Sequence, residues 1–446
     1  MFFDRTAVGA AKMKQIICMI KKQPPARLIV ISFALVILLG TGILLLPFSI
    51  KEGAEVGFID ALFTSTSAVC VTGLIAIDVA DHFTVFGQFV VAALIQIGGL
   101  GVTSIGVGLI LAAGKRVGLK GRILVQEALN VDSAKGMVRL VKSVLIMTLC
   151  FEFVGMVLSF IVFVQDFPPL KALGVSAFHS IAAFNNSGFD ILGGMRNLIP
   201  YQSNILLNLT TSGLIIFGGL GFLVILDILK KRSFKKLSIH SKAVLSTTAV
   251  LLLGGTLLLK ATEDVSWMGA FFQSVSARTA GFSTYPIGTF TNAGLFILII
   301  LMFIGASPGS TGGGIKTSTF FVLIQQIRSL FTKRHVSVFR RSILAEAISK
   351  ASTITLLSMA LICVGTFFLC ILEPEYSFVQ LLFEDISAFG TVGLSTGITP
   401  DLCGTSKVII ILTMFAGRVG TFTLLSIWVD RPAPTARYTE ESITIG

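Results

Sequence analysis

One short sequence phrase occurs four times in this chain of 446 residues, each time between two long apolar stretches. In every copy a Phe lies ten residues before a Gly, a small residue lies five before it, and Leu or Phe follows it. The copies are ALFTSTSAVCVTGL, SAFHSIAAFNNSGF, GAFFQSVSARTAGF and QLLFEDISAFGTVGL, with their Phe residues at Phe63, Phe178, Phe271 and Phe383 and their glycines at Gly73, Gly188, Gly281 and Gly393. One copy would be a loop glycine. Four copies predict four walls around one central site, and therefore a pore.

The composition places this repeat in a membrane. The chain is 54% hydrophobic and only 13% charged, whereas soluble domains carry about 25% charged residues. Apolar runs of about 20 residues match the hydrocarbon thickness of a bilayer. Eight such elements are predicted: Leu28–Ile50, Phe83–Ala113, Met137–Val164, Asn204–Leu229, Ala243–Leu259, Ala293–Ala306 continuing to Phe331, Ile354–Leu372 and Val408–Val429.

The net charge of +12 is concentrated in alternate loops. Lys and Arg cluster in the tail up to Arg27 and in the stretches Lys115–Lys142, Lys230–Lys242 and Lys333–Lys350. This positive-inside pattern predicts a multi-pass protein of the plasma membrane with both termini in the cytoplasm. It explains the positive charge without nucleic-acid binding. The first apolar run is too long for a signal peptide, so we expect it to be retained as a helix.

The four phrases lie in segments that are too short to cross a bilayer: Phe58–Val71, Leu173–Asn186, Trp267–Thr279 and Phe378–Thr391. Such segments are predicted to enter and leave from one face, as re-entrant helices and loops that line a shared axis. The fold class is therefore an all-α polytopic membrane protein of four parallel helix–re-entrant loop–helix repeats around a pseudo-four-fold pore. The predicted divisions are a tail 1–27, repeats 28–114, 137–229, 243–331 and 351–429, and a tail 430–446.

A second glycine pattern follows each phrase within the next hydrophobic element. It comprises Gly98-Gly99-Leu100-Gly101, Gly218-Gly219-Leu220-Gly221, Gly305-Ala306-Ser307-Pro308-Gly309 and Gly417-Arg418-Val419-Gly420. For the first two spots, close helix packing through small residues is a sufficient explanation. The last two differ, because one contains a proline and the other a buried arginine.

The phrase glycine has a physical reason to recur if the site binds a dehydrated cation. Backbone carbonyls can replace the hydration shell of potassium, and glycine tolerates the positive φ that such a loop needs. The candidate filter residues are Cys70, Val71, Thr72 and Gly73, then Asn185, Asn186, Ser187 and Gly188, then Arg278, Thr279, Ala280 and Gly281, then Gly390, Thr391, Val392 and Gly393. The alternative is that each glycine is only the C-cap of its helix.

The motifs VTGL, NNSGF, RTAGF and GTVGL resemble those of the Trk/Ktr/HKT superfamily of potassium transporters, and most closely the membrane subunit of bacterial Ktr systems. The resemblance implies that potassium binds at carbonyls of Gly73, Gly188, Gly281 and Gly393. Because plant relatives with Ser at the first of these positions transport sodium, Gly73 favours potassium. The resemblance also implies a homodimer, stimulation by sodium, and control by a cytosolic ring of nucleotide-binding subunits that docks on the basic loops.

A glycine-rich stretch from Gly305 to Thr317 interrupts the sixth hydrophobic element. Its glycines and proline cannot continue a helix. The sequence departs from a phosphate-binding loop because Ile315 precedes Lys316 and a membrane helix precedes the stretch. The family resemblance implies an intramembrane gate made of Gly305, Ala306, Ser307, Pro308, Gly309, Ser310, Thr311, Gly312, Gly313, Gly314 and Lys316.

Three buried charges need separate explanations. Arg418 is expected to project toward the pore and hold the gate through carbonyl contacts, with snorkelling to the membrane surface as the alternative. Arg278 is expected to point behind its loop and to pair with Glu384 or Asp385. Glu152 has no predicted role.

The predicted function is potassium uptake through a channel-like pore. The rival is a sodium-coupled secondary transporter with alternating access, which would show inverted repeats and a buried acidic ion site. The sequence has parallel repeats and no carboxylate at the filter positions. No catalytic motif is present, and the six cysteines follow no disulfide or metal-binding spacing. We therefore expect no enzyme activity.

Overall fold

The computed structural model of the chain describes residues 24–112, 118–128, 136–332 and 335–427. The predicted tails therefore lie almost entirely outside the described residues, as do parts of the basic stretches Lys115–Lys142 and Lys333–Lys350. Within the described residues the protein is all-α except for one antiparallel hairpin, in which Ser337–Val338 pairs with Arg341–Ser342. The predicted fold class is confirmed.

Each of the four units consists of an outer helix, a short pore helix and an inner helix that is broken into two parts. The outer helices are Pro25–Leu44, Met137–Phe163, Ile239–Thr262 and Ala345–Leu372, and the pore helices are Phe58–Cys70, Pro169–Phe184, Trp267–Ser276 and Phe378–Gly390. The inner helices are Val85–Leu100 with Val102–Ala112, Ile205–Leu220 with Phe222–Lys231, Asn292–Phe303 with Thr317–Thr332, and Gly404–Val419 with Thr421–Ser426. Two further α-helices are Val79–His82 and Leu119–Ala128, and short 3-10 helices span Pro47–Ser49, Ile199–Tyr201, Phe234–Lys236, Ile287–Thr289 and Thr399–Asp401.

The outer helices are each long and apolar enough to cross a membrane. The first one starts at Pro25, three residues before the predicted apolar run, because proline is well suited to the first turn of a helix. The predicted hydrophobic elements Phe83–Ala113 and Asn204–Leu229 each contain two helices, which meet at bends of 98° and 95°. The bends lie at Gly101 and Gly221, whose φ angles of 84° and 90° end the helical path.

Each pore helix is held against its outer helix by the same contact, which the sequence analysis missed. A β-carbon on Gly40, Gly155 or Gly255 of the outer helices would overlap a serine hydroxyl of the pore helix. These serines donate to outer-helix carbonyls: Ser65 to Ile37 at 2.7 Å, Ser180 to Glu152 at 2.6 Å and Ser274 to Leu252 at 2.9 Å. In the fourth unit Gly365 faces Asp385, which accepts from Thr366 at 3.0 Å. The four pore helices therefore pack against their outer helices at equivalent positions.

This shared contact shows that the third phrase is one residue shorter than the others. Ser65, Ser180 and Asp385 each follow the phrase Phe by two residues, and Ser274 does so only if the matching Phe is Phe272. Phe272 is fully buried, as Phe63 and Phe383 are, whereas Phe271 is half-buried. The sequence alignment on Phe271 and Ser276 is therefore wrong. The structural counterparts are Phe272 and Ala277, and the missing residue falls next to Arg278.

Candidate functional site

The four phrase glycines close into a ring at the centre of the molecule. A β-carbon placed on any one of them would overlap the backbone of the next loop. The contacted carbonyl oxygens belong to Ser187 for Gly73, Ala280 for Gly188, Val392 for Gly281 and Thr72 for Gly393. The order of contacts runs once through all four units and returns to the first. No side chain larger than hydrogen fits at these positions, so the glycines are required by the close approach of the four loops.

Every loop has a second residue in the left-handed region, two positions before its glycine. The glycine φ angles are 88°, 69°, 77° and 93° for Gly73, Gly188, Gly281 and Gly393, and the earlier residues are Val71 at 58°, Asn186 at 58°, Thr279 at 74° and Thr391 at 49°. Such angles are uncommon outside glycine. They persist where surrounding structure imposes them, and they cluster at functional sites. Residue type did not mark the conformation of this position, because Val, Asn, Thr and Thr occupy it in the four units.

The structure also separates the glycines from the helix ends. The left-handed C-cap residues are Val71 in the first unit and Thr391 in the fourth. Gly73 lies beyond its cap, where its N–H donates to the Ser67 hydroxyl at 3.0 Å. Gly393 donates in the same way to Ser387 at 3.0 Å. Helix capping is thus supplied by other residues in these two units and does not account for the glycines.

The second glycine pattern packs the inner helices against the ends of the pore helices. A β-carbon on Gly98, Gly218 or Gly417 would overlap a carbonyl oxygen four residues before a phrase glycine. These oxygens belong to Val69, Phe184 and Phe389. Close packing therefore explains the pattern in the first, second and fourth units. In the third unit Gly305 instead faces the carbonyl of Gly313, inside the same irregular stretch.

Residues 304–316 form a loop between the two parts of the third inner helix, called here the central loop. It lies directly against the filter residues. The N–H of Gly313 donates to the Thr391 hydroxyl at 2.9 Å, and a β-carbon on Gly312 would overlap the Thr279 hydroxyl. The Thr311 hydroxyl donates to the carbonyl of Phe184 at 3.3 Å. The candidate gate residues are thus brought together with candidate filter residues of the third and fourth units and with the end of the second pore helix.

The second unit holds the central loop through its backbone at the helix bend. The N–H groups of Ser307 and Thr311 donate to Gly219 and Gly218 at 3.1 and 3.3 Å. In return the N–H of Phe222 donates to the Gly309 carbonyl at 3.0 Å. These bonds satisfy polar groups that an irregular segment would otherwise leave unpaired within a membrane.

Two basic side chains bind the central loop. The Arg418 guanidinium donates to the carbonyls of Thr311 and Gly98, and to that of Gly99 at 3.2 Å. It therefore connects the loop to the first inner helix, as the carbonyl-contact hypothesis expected, and it does not snorkel to a surface. The Lys316 ammonium donates to the loop's own Gly312 carbonyl at 2.7 Å.

A cavity of about 340 Å³ borders the central loop. Its walls include Gly101, Phe222, Gly309, Lys316, Lys350 and Arg418. The loop is therefore in contact with the filter residues and also borders an open space. Among the described residues there is no group of three His, Cys, Asp or Glu side chains that could hold a metal ion.

The predicted partners of Arg278 are wrong. Its side chain does lie behind the loop, where it is 7% exposed and borders a small space with Gly219 and Thr248. Its Nε has no hydrogen-bond partner within the described parts of the chain. Glu384 accepts from residues after Gly393 instead, and Asp385 accepts from the fourth outer helix.

Glu152 has a structural position that the sequence did not predict. It accepts from the Asn185 amide at 3.1 Å, and the same amide donates to Gln96 at 2.8 Å. The cluster therefore joins a filter residue of the second unit to the first inner helix. It lies behind the ring and places no carboxylate in it.

The comparisons with known proteins agree with this architecture. A family model described as TrkH, cation transport protein, matches residues 25–254 and 242–437. The potassium/sodium uptake protein NtpJ of Enterococcus hirae is 39% identical over 444 residues, covering 96% of this chain and 98% of that protein. The Ktr system potassium uptake protein B of Bacillus subtilis is 38% identical over 436 residues, covering 95% of this chain and 97% of that protein.

A solved structure shows the same fold. The potassium transporter TrkH from Vibrio parahaemolyticus matches with a TM-score of 0.73, covering 92% of this chain and 86% of that chain. The two sequences are 19% identical, so this likeness concerns the fold alone.

Proposed function

The chain belongs to the TrkH family of cation transport proteins, and from this premise we propose that it takes up potassium through a channel-like pore. The observation that carries the proposal is the closed ring of glycines, in which each glycine lies against the carbonyl that precedes the next one. A narrow throat built from main-chain oxygens suits an alkali cation that has shed its water. The names of the two curated relatives, both uptake proteins for potassium, support the same substrate.

In this proposal the potassium ion binds carbonyl oxygens of Gly73, Gly188, Gly281 and Gly393 and of the residues before them. The four pore helices end at these loops, and the negative ends of their dipoles favour a cation. The membrane potential would drive inward flow, with about 2.3 kcal/mol per charge for each 100 mV.

The central loop serves as the gate. It lies against Thr279 and Thr391 of the filter loops and is held by Arg418. Its obstruction of the pore would end when these hydrogen bonds break and the loop moves aside. The Arg418 charge beside the loop also opposes the passage of a cation while the gate is closed.

Control by other subunits is part of the proposal. The relative from Bacillus subtilis is named as one protein of a Ktr system, which supports a membrane subunit that works with separate components. We propose a homodimer in the plasma membrane, with both termini in the cytoplasm and a cytosolic nucleotide-binding ring docked on basic loops such as Lys230–Lys242. Sodium is proposed as an activator.

Uptake by a transport-deficient bacterium tests the function. Cells that express the chain with a Ktr-type cytosolic partner should accumulate potassium or rubidium, and cells that express the chain alone should do so more slowly. Absence of uptake in the presence of the partner contradicts the proposal. Uptake that requires a sodium gradient in fixed proportion would favour alternating access.

The substitution Gly73→Ser tests the filter. Its side chain would overlap the Ser187 carbonyl, so the ratio of sodium to potassium uptake should rise by about tenfold, the effect of roughly 1.4 kcal/mol. Gly53→Ser is the matched control, because Gly53 has a similar φ of 81° and no atom near its missing side chain. An unchanged ratio in Gly73→Ser would remove this glycine from the filter.

A further inference from the structure

A buried carboxyl group behind the fourth filter loop accepts several hydrogen bonds from one short segment. Glu384 lies on the fourth pore helix and is 1% exposed. Its Oε1 accepts from the Ser395 hydroxyl at 2.8 Å and from the N–H and hydroxyl of Thr396 at 2.8 and 3.0 Å. Its Oε2 accepts from the Thr399 hydroxyl at 2.7 Å. All of these partners belong to the short segment that follows Gly393.

The hydrogen bonds of Glu384 use both of its carboxyl oxygens, and all of their partners lie in one short segment. A buried polar group without partners is costly. Glu384 and the segment 395–399 therefore stabilise each other.

The equivalent residues of the first and second units do not fix their loops in this way. Thr64 donates to the Asp60 carbonyl of its own helix at 2.8 Å, and His179 hydrogen-bonds to Thr211 of an inner helix at 2.9 Å. The third unit has a counterpart, in which Gln273 donates to Ser283 at 3.0 Å. Ser283 and Ser395 both lie two residues after a phrase glycine. The third loop is thus held by an amide and the fourth by a carboxyl group.

The held segment also contacts the neighbouring unit. A β-carbon on Gly288, in the third unit, would lie 2.5 Å from the Thr396 carbonyl oxygen. A shift of residues 395–399 would therefore be transmitted to Gly393 along the chain and to the third unit by contact.

We propose that Glu384 is a positioning residue that sets the discrimination between potassium and sodium. It does not touch the ion. It fixes the backbone directly after Gly393, and the selectivity of a carbonyl site depends on the geometry and number of its oxygens. The inference rests on the proposed function, since it concerns the selectivity of the same pore.

Three variants test the inference in cells with the cytosolic partner, with membrane protein levels measured for each. Glu384→Met keeps the length of the side chain and removes both acceptors, so the sodium-to-potassium uptake ratio should rise about tenfold. Glu384→Gln keeps one acceptor oxygen and replaces the other with an amide nitrogen that cannot accept, so we expect a rise of about threefold. Asp385→Asn is the matched control, because this adjacent buried carboxylate faces Thr366 on the outer helix, and its ratio should stay within about twofold of wild type.

The outcomes separate the two proposals. A wild-type chain that takes up no potassium counts against the proposed function. A wild-type chain that is selective, together with a Glu384→Met variant that transports with the same ratio, overturns the role of Glu384 alone. If Glu384→Met does not reach the membrane, Thr399→Val removes one donor at nearly constant shape and should raise the ratio about twofold. An unchanged ratio in Thr399→Val then overturns the inference.

Discussion

The inner helices of the four units are interrupted at matching places but by different means. In three units a single glycine makes the break, at Gly101, Gly221 and Gly420, with φ angles of 84°, 90° and 92°. In the third unit the whole central loop of residues 304–316 takes the place of that glycine. The third unit thus differs from the others at the segment for which a gating role is proposed.

The two kinds of break also differ in what stabilises them. A glycine bend requires one residue with positive φ and few outside contacts, since the nearest atom to a β-carbon on Gly101 would be 4.0 Å away. The central loop depends on hydrogen bonds from other units, including those of Gly218, Thr391 and Arg418. A break that depends on its neighbours can be released by moving them.

Shortening the central loop should have the largest effect. Deletion within Gly309–Gly314 removes the Thr311 carbonyl that Arg418 binds and the Gly313 N–H that Thr391 accepts. Rubidium uptake without the cytosolic partner should then rise by more than about tenfold, because at least two buried hydrogen bonds are lost. A deletion variant that still depends fully on the partner would contradict the gate.

Arg418→Gln should have a smaller effect of the same sign. The glutamine removes the charge and shortens the bridge between Thr311 and the first inner helix, while the bonds from Gly218 and Thr391 remain. We expect partner-free uptake to rise by about threefold to tenfold, the equivalent of a net loss of one ordinary hydrogen bond of about 1 kcal/mol. Lys407→Gln is a control, because this residue of the same helix pairs with Asp60 instead. Equal changes in both variants would argue against a specific role for Arg418.

Alanine substitutions at the bends should have the smallest effects and separate the two kinds of break. Gly101→Ala and Gly221→Ala impose the same backbone strain, which costs about 1 to 3 kcal/mol of stability. Only Gly221 adjoins the central loop, since its β-carbon would lie 2.7 Å from the Pro308 carbonyl oxygen. Both purified variants should unfold at lower temperature, and only Gly221→Ala should also change partner-free uptake. Identical uptake in both would show that the bend does not support the loop.

Much of the architecture could be predicted because the repeat contains residues whose packing or hydrogen-bonding requirements are evident from their type. Gly73 and its counterparts mark the points where four loops of the chain approach too closely for a side chain. Arg418 could be placed because a charge inside an apolar helix needs acceptors, and the carbonyls of an irregular loop provide them.

Other features depended on contacts that span units. The left-handed conformation of Val71 and Thr391 is imposed by packing and is not encoded by residue type. The predicted partners of Arg278 were wrong because Glu384 and Asp385 accept hydrogen bonds from Thr399 and Thr366 instead. The outer-helix glycines, such as Gly40, could have been found by asking what faces the serine two residues after each Phe.

The third phrase, one residue shorter before its glycine, has a consequence for how an ion is held. A quarter turn about the axis does not superimpose the molecule on itself even at the throat, where Arg278 replaces two residues of each other wall. In the proposed filter a cation would therefore meet unequal ligands on its four sides. Substitutions at equivalent positions, made in one unit at a time, will therefore give four different phenotypes. An average over the four variants would hide the unit whose substitution has the largest effect.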